Sequence, residues 1–554
     1  SGAIQPCIVS RGLDLIGSNP EIRRIYLIAI AIMTISFTSW LMNYIRRRLT
    51  VRVIADLLVE LATQAFEAST EHDLSFYDQY SSGRIASRIT SDTMQFGELV
   101  SLVTDVSSQI IESLILAVVL FSIDWRLTLI VLSLVPIIFA LTLLYRKVAR
   151  KVTREGMRAM AEVNQTIKET VSGIAVAKNF RQEASIFEIF DKANQVSYKV
   201  NINRGLVLSI VFPTLNTIGG IVTAILVYSG GITTSQGIVT AGAWYLFILS
   251  LDRFMHPVMS LATFWTNVQN GLSSAERVFA LIDADHDVVQ TDDRETPDLR
   301  GEIEICHLNF HYKDTEPVLR DFNLHVQPGE TVALVGHTGA GKSSIAKLIA
   351  RFYEYQSGKI LIDGKDIRSF NLKNYRQKLG IVSQVPFLFS GTVMDNICYT
   401  CAQANPTEIE ALARQIGDGE WLETLPNGLY TEVGERGSRL SMGQRQLVSL
   451  MRVLAQKPAI FILDEATASI DPFTEWQIQQ ALNLILAQTT SILIAHRLST
   501  VKSANRIIVM REGSIIEEGD HAALMQASGH YAELYNTYFR HQSLEYVEEA
   551  GFRD

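Results

Sequence analysis

Cysteine is nearly absent from this chain. The four that occur, Cys7, Cys306, Cys398 and Cys401, are too few for a disulfide framework. Cys398 and Cys401 form a lone C-x-x-C with no second pair and no histidine nearby, which gives little basis for zinc or a redox dithiol. Charge is also scarce. Charged residues make up 19% of the chain against 47% hydrophobic, a balance too apolar for an ordinary soluble enzyme. No basic excess exists either, and the net charge of −9 gives no support for nucleic acid as a general partner. No basic-then-apolar leader follows Ser1, so no signal peptide is expected.

What the chain has instead is long uncharged runs. Residues 25–45 carry no charge and are long enough to span a bilayer. So are 127–145, and 205–251 is long enough for two spans, with a tight turn expected at Ser229-Gly230-Gly231. Residues 99–123 are apolar but carry Asp105 and Glu112, which predicts a span with a polar face. Residues 1–16 read as the end of a further span, so the expectation is five whole spans and a truncated first one. Arginine and lysine crowd the segments 46–98 and 146–204, whereas the connections at 123–126 and 229–238 are short and carry one basic residue between them. The basic segments are therefore expected on the cytoplasmic side. Their helical pattern suggests that the spans continue below the membrane.

Glu98, Ser101, Asp105, Ser108 and Glu112 recur at three- and four-residue steps and share one helix face. Ionisable groups in a span usually face a polar interior. Two readings stand: an acidic wall of a pathway for cationic or amphipathic cargo, or hydrogen bonding between helices. Trp244, Tyr245, Phe247, Phe264 and Trp265 invite a similar choice between cavity lining and packing, and Pro213 and Pro257 are candidate kinks.

From residue 300 onward the sequence reads as soluble. The expected boundaries are a membrane domain over 1–282, a linker over 283–299, an α/β nucleotide-binding domain over 300–540 and a tail over 541–554. Gly336-His337-Thr338-Gly339-Ala340-Gly341-Lys342-Ser343 fits the phosphate-loop pattern G-x-x-x-x-G-K-[ST], between an apolar strand at 331–335 and a helix beginning near Ser344. Glycines let backbone N–H groups close around phosphate, and the helix start adds a positive dipole end. Lys342 would reach the outer phosphates and the Ser343 hydroxyl would meet Mg²⁺. Downstream, the apolar strand 459–463 ends in Asp464-Glu465. A strand-end aspartate suits a metal contact, and the following glutamate could polarise an attacking water.

Between these two motifs lies Leu440-Ser441-Met442-Gly443-Gln444. A phosphate loop, an L-S-x-G-Q and a strand ending in Asp-Glu, in that order, resemble the nucleotide-binding domain of ABC transporters. The resemblance extends to Gln384, to Asp471 in Ala468-Ser469-Ile470-Asp471, to His496 after the strand 491–495, and to Tyr312. The first half is similar to the family's exporter-type membrane domain, with Phe76-Tyr77, Gly83, Ser87-Arg88 and Asp92 fitting its first intracellular loop. The implied fold is an α-helical transmembrane domain of six spans, the first truncated here, followed by an α/β P-loop ATPase domain.

The resemblance implies ATP and Mg²⁺ as cofactors, with Ser343, Gln384 and Asp464 at the metal. It implies Tyr312 on adenine, Glu465 orienting water and His496 holding the γ-phosphate. It implies a second half-transporter, whose Ser441 and Gly443 would close over the ATP of the first, and a lipid bilayer around both. Short cytoplasmic helices near 76–89 and 182–190 would carry the motion. The implied activity is ATP-driven export of an amphipathic, lipid-like or drug-like molecule, with a bacterial inner membrane as the expected location. Exporter-fold import of a metal chelate and an ATP-gated channel are the alternatives. Met442 stands where the family most often has glycine, which is compatible with a tolerant homodimer or with a heterodimer carrying one weakened site.

Overall fold

The computed structural model describes residues 4–16, 22–313, 316–400, 405–464, 470–494 and 498–539. The expected tail at 541–554 and Cys401 lie outside these. The chain divides into two compact units, one comprising residues 1–71 and 82–284, the other 72–81 and 285–554.

The first unit is helical throughout. Its elements are α1 (Ile4–Ile16), α2 (Ile22–Glu71), then, after α3 (Leu74–Gln79) of the other unit, α4 (Ser82–Ser87), a π-helical turn (Arg88–Asp92), α5 (Thr93–Ile123), α6 (Trp125–Ser172), α7 (Ile174–Asn179), α8 (Glu183–Ser209), α9 (Val211–Ser235) and α10 (Ala241–Ile282). Among the described residues, four helical stretches are long and apolar enough to cross a membrane: Ile25–Glu71, Ser82–Ile123, Trp125–Ser172 and Glu183–Ser235. The fifth expected span falls on α10, several of whose side chains lie outside the described residues. The apolar window of α2 has 0% of its residues buried within the chain, so that face is left for lipid or a second subunit.

Local chemistry sets the ends. Asp124 caps α6 by accepting from the Leu127 N–H at 2.9 Å, and Thr240 caps α10 by accepting from Ala243. Pro213 lies in the first turn of α9, immediately after the break between α8 and α9. A proline there needs no intrahelical donor, and its missing N–H ends the α8 ladder. The turn expected at Ser229-Gly230-Gly231 is not there. That tripeptide is helical inside α9, and the chain reverses at 236–240 instead. Gly230 serves packing: a Cβ on it would lie 2.2 Å from Cδ1 of Trp244, whose indole N–H donates to the Leu226 carbonyl at 3.1 Å. Trp244 is thus a helix-packing residue, and Phe247 is fully buried in the core formed with Leu116, Leu134, Leu226 and Phe254.

The polar face of α5 is spent on neighbouring helices. Gln95 accepts from Ser274 at 2.7 Å, Gln109 from Ser260 at 3.1 Å and Glu112 from Arg253 at 2.9 Å, all on α10. Asp105 accepts from Arg46 of α2 at 3.0 Å. Ser108 bonds back to Thr104 of its own helix. Of the two readings of this face, hydrogen bonding between helices is the one the structure supports for Asp105 and Glu112.

The second unit contains α3 and two sheets. β1 (Ile303–His311), β2 (Pro317–Val326), β4 (Ser357–Ile362) and β5 (Lys365–Asp366) make an antiparallel sheet in the order β2-β1-β4-β5. β3 (Thr331–Val335), β6 (Leu379–Val382), β7 (Ile460–Asp464), β8 (Thr490–Ile494), β9 (Arg506–Arg511) and β10 (Ser514–Gly519) make the other, in the order β10-β9-β3-β8-β7-β6. This second sheet is parallel except for the β9–β10 hairpin. Every residue of β3 and β8 is buried, as expected of parallel strands covered on both faces. The covering helices include α11 (Lys342–Ile349), α12 (Leu372–Gln377), α13 (Val393–Ile397), α14 (Pro406–Arg414), α15 (Glu420–Glu423), α16 (Met442–Gln456), α17 (Pro472–Leu486), α18 (Leu498–Lys502), α19 (His521–Ala527) and α20 (His530–Leu534). In such sheets ligands bind beyond the carboxyl ends of the strands.

The segment expected as a linker is pinned to this unit. Buried Arg351 donates to the Val289 carbonyl at 2.8 Å and to Gln290 at 2.9 Å, and the Val289 N–H donates to Glu354. Its polar, acid-rich composition reads as solvated, but its backbone groups are taken up by partners sixty or more residues away.

Candidate active site

The phosphate-loop motif forms the connection between β3 and α11. Its glycines are required by geometry. Gly336 and Gly341 have φ of +150° and +98°, and a Cβ on Gly336 would lie 2.3 Å from the Met510 carbonyl oxygen. Gly341 is the residue just before α11, so the loop delivers the chain directly into a helix N-terminus. Lys342 is buried, and its ammonium donates to the carbonyls of Gly336 at 2.8 Å and His337 at 2.9 Å. Burial pulls its pKa below the ordinary lysine value, and the negative charge of Asp464 pushes it back up. The loop therefore holds its cation curled over its own carbonyls, within reach of an incoming anion.

Asp464 ends β7, two strands from β3 across β8, and is half-exposed. Ser343 is half-buried, and its hydroxyl has no hydrogen-bond partner among the described residues. Ala340 is buried, and Thr338 and Gly339 are exposed. His337 is exposed with its ring 5.4 Å from that of His530. Ser344 faces the other way: its hydroxyl is 3.0 Å from that of Tyr312. Tyr312 meets Tyr353 edge-on at 5.0 Å, and Lys347 lies over its ring at 5.4 Å. Tyr312 as a whole is 43% exposed, enough for a flat ring to stack. Gln384 is exposed just beyond the end of β6.

The L-S-x-G-Q segment is a helix start. Ser441 precedes α16 and forms a capping box with Gln444: its hydroxyl accepts from Gln444 N–H at 3.2 Å, while the Gln444 side chain accepts from Ser441 N–H at 2.9 Å. The box uses the third helical N–H and leaves those of Met442 and Gly443 pointing out of the helix end. Gly443 is needed for packing, since a Cβ on it would lie 2.3 Å from Cγ2 of Thr474 on α17. Met442 folds back along its own helix, its sulfur 3.6 Å from a guanidinium nitrogen of Arg445.

Asp471 caps α17, accepting from the Thr474 N–H at 2.9 Å, and that hydrogen bond holds its pKa below the usual carboxylate value. Glu465, Ala468, Ser469 and His496 lie outside the described residues. In sequence Glu465 follows the last residue of β7, and His496 comes two residues after the last of β8.

Sequence reasoning missed one polar cluster. The segment 72–81 belongs to the nucleotide-loop unit, where Asp78 accepts from the hydroxyl of Tyr353, Asp73 accepts from the Val288 N–H at 2.9 Å, and Ser75 donates to Asp287 at 2.6 Å. Burial, and then the hydrogen bond to Asp78, push the Tyr353 pKa far up. No spacing signal links residues more than 200 positions apart.

These features have counterparts in known proteins. Residues 1–258 match the family model described as the ABC transporter transmembrane region, and residues 319–468 match that described as ABC transporter. An ATP-dependent lipid A-core flippase of Syntrophus aciditrophicus is 34% identical, covering 94% of this chain and 85% of that protein. A fatty acid ABC transporter ATP-binding/permease protein of Mycobacterium bovis is 34% identical, covering 89% of this chain and 78% of that protein. A solved structure of a bacterial Atm1-family ABC exporter with ATP bound superposes with a TM-score of 0.79 at 26% identity, covering 96% of this chain and 95% of that one. A single chain with one membrane region and one ATP-binding domain is half of a working transporter, so it acts as a dimer. The chain belongs to the ABC transporter family, as an integral-membrane exporter half-transporter whose ATP-binding domain is an ATPase coupled to transport.

Proposed function

We propose that this chain exports an amphipathic, lipid-like or drug-like molecule by alternating access of a homodimer, in a bacterial inner membrane with the ATP domain in the cytoplasm. The observation that carries the reading is the preformed phosphate loop, with buried Lys342 curled over carbonyls that an anion would displace it from. The relatives named for lipid A and for fatty acids support the lipid-like class.

The roles are those the family motifs imply for these positions. Lys342 transfers its hydrogen bonds from the loop carbonyls to the outer phosphates, and the start of α11 adds its N–H groups. The fit to Mg²⁺ is tested by the donor set: a serine hydroxyl without a partner among the described residues and a strand-end carboxylate are hard oxygen ligands of the kind that ion takes. Ser343, Asp464 and Gln384 would hold it, and it would supply neutralisation of phosphate charge. Glu465 positions the attacking water and His496 holds the γ-phosphate. The free N–H groups of Met442 and Gly443, with Ser441, face the phosphate of the second subunit. Tyr312 stacks on the base, and Asp471 caps α17. ATP closes the dimer because it binds the closed state more tightly than the open one. The folded-back Met442 side chain leaves the start of α16 uncovered, which favours the homodimer.

The test is ATP hydrolysis by the chain purified alone in lipid nanodiscs, with ATP-driven lipid movement in proteoliposomes. Hydrolysis lost in Glu465→Gln, with movement lost alongside it, is expected. ATP binding without hydrolysis in the wild type would replace the homodimer with a heterodimer.

A further inference from the structure

In the membrane unit a cavity of about 740 Å³ lies between α6, α8, α9 and α10. That volume falls in the range of small-molecule sites. One part of its wall is aliphatic, with Leu141, Leu208, Val211 and Leu215. Another part is three arginines, Arg146, Arg150 and Arg154. They recur at four-residue steps on α6, so they form one row along the cavity.

None of the three makes an ion pair or hydrogen bond among the described residues. Three arginines elsewhere in the unit do have a carboxylate partner, Arg46 with Asp105, Arg253 with Glu112 and Arg277 with Asp92. The three border a half-open hollow whose wall is largely apolar, Arg146 half-buried and Arg150 and Arg154 exposed along its rim. Nor does Tyr145 of the same wall compete for a ligand, since its hydroxyl is committed to the Val207 carbonyl. A row of free guanidiniums beside aliphatic side chains is complementary to one kind of molecule: an apolar chain ending in a carboxylate or phosphate, which guanidinium meets with paired charged hydrogen bonds.

We propose that this cavity binds an amphiphile with an anionic headgroup, the headgroup on Arg146, Arg150 and Arg154 and the chain on Leu141, Leu208, Val211 and Leu215. The proposal rests on the amphipathic-substrate reading above and gives that substrate a sign of charge. It is opposite to the sign an acidic pathway on α5 would have selected.

The test uses the full chain in phosphatidylcholine nanodiscs without nucleotide, labelled with a photoactivatable oleate. Crosslinks are expected within 141–157 and 208–215. They should be competed by oleate, by dioleoyl phosphatidic acid, or by both, and not by oleylamine or oleyl alcohol. Competition by only one of the two acids supports the site and assigns the headgroup to carboxylate or to phosphate. The combined substitution Arg146→Gln, Arg150→Gln, Arg154→Gln should weaken binding roughly 10- to 100-fold, the effect of losing charged hydrogen bonds. The corresponding triple lysine variant keeps the charge and should recover most of that loss, which separates a missing charge from a misfolded helix. Equal competition by the amine or the alcohol, or unchanged labelling of the triple glutamine variant, overturns the proposal. ATP-driven movement of the same oleate in proteoliposomes is read separately. Its absence with binding intact would sink the export reading and leave the site standing.

Discussion

Glu112 of α5 accepts a hydrogen bond from Arg253 of α10 at 2.9 Å, across a helix–helix contact within the membrane unit. A carboxylate engaged in this way is a link between helices, and removing its charge leaves an arginine without a counter-ion. Glu112→Gln is therefore expected to lower the unfolding temperature in detergent by a few degrees, in keeping with about 1 kcal/mol for a partly exposed pair. Swapping the partners, Glu112→Arg with Arg253→Glu, should recover most of that loss. Preference among transported cations should not move in either variant. A selective loss of cation transport in Glu112→Gln with unchanged thermal stability would return the residue to the substrate pathway.

Gly443 is held by the contact of α16 with α17, where Thr474 leaves no room for a Cβ. Gly443→Ala should push the two helices apart, at a cost of about 1–3 kcal/mol for an overpacked contact. Thr474→Ser removes the offending methyl while keeping a hydroxyl near Asp471, so the double variant should regain most of the lost stability. Thermal unfolding of the four proteins checks this. If Gly443→Ala unfolds normally but fails to hydrolyse ATP, the glycine is kept for the phosphate of the partner site and not for packing.

What was legible in the sequence was what local chemistry specifies. A run of glycines before Lys342 demands positive φ, and buried parallel strands read as unbroken apolar runs, so the loop and its flanking β3 and α11 are written in consecutive residues. Ser441 and Gln444 spell a capping box three residues apart. The misreadings came from distant partners. Gly230 and Gly231 look like a turn until Trp244, fourteen positions beyond Gly230, is known to pack on the first of them. The acids of α5 look like a pathway because their arginines lie 59 and 141 residues away. The segment 72–81 sits in a long basic stretch between spans, and nothing local says that Asp78 meets Tyr353.

Asp471 is fully exposed, yet the Thr474 N–H holds its carboxylate below the usual pKa. A folded-state pKa that is depressed stabilises the fold above the unfolded value, near pH 4, and the benefit is lost as the pH falls through the folded value. The capping contribution to α17 should thus be constant from neutral pH down to about pH 4 and vanish below it. Asp471→Asn keeps an acceptor at the cap and removes the titration. The difference in unfolding temperature between wild type and Asp471→Asn should be flat above pH 5 and shrink at lower pH. A difference that grows as the pH falls would contradict the cap.

The hydroxyl of Tyr353 donates to Asp78, and this bond joins the short segment containing α3 to the rest of its unit. Asp73 and Ser75 add two further bonds to residues 287 and 288. Removing the tyrosine hydroxyl leaves the carboxylate of Asp78 without its donor, which for a hydrogen bond to a charged group costs about 1.5–3 kcal/mol. The burial of the ring against Phe310 and Tyr312 is retained in Tyr353→Phe, so the sheet beneath should be unaffected. Amide exchange separates the two effects. Residues 74–80 should exchange roughly tenfold or more faster in Tyr353→Phe, the ratio that a loss of about 1.4 kcal/mol gives, while β1 and β3 keep their protection. Asp78→Asn retains an acceptor for the hydroxyl and should fall between the two. Equal acceleration in β1 would mean that the substitution loosens the whole unit, and the bond to Asp78 would then lose its standing as the local fastening of this segment.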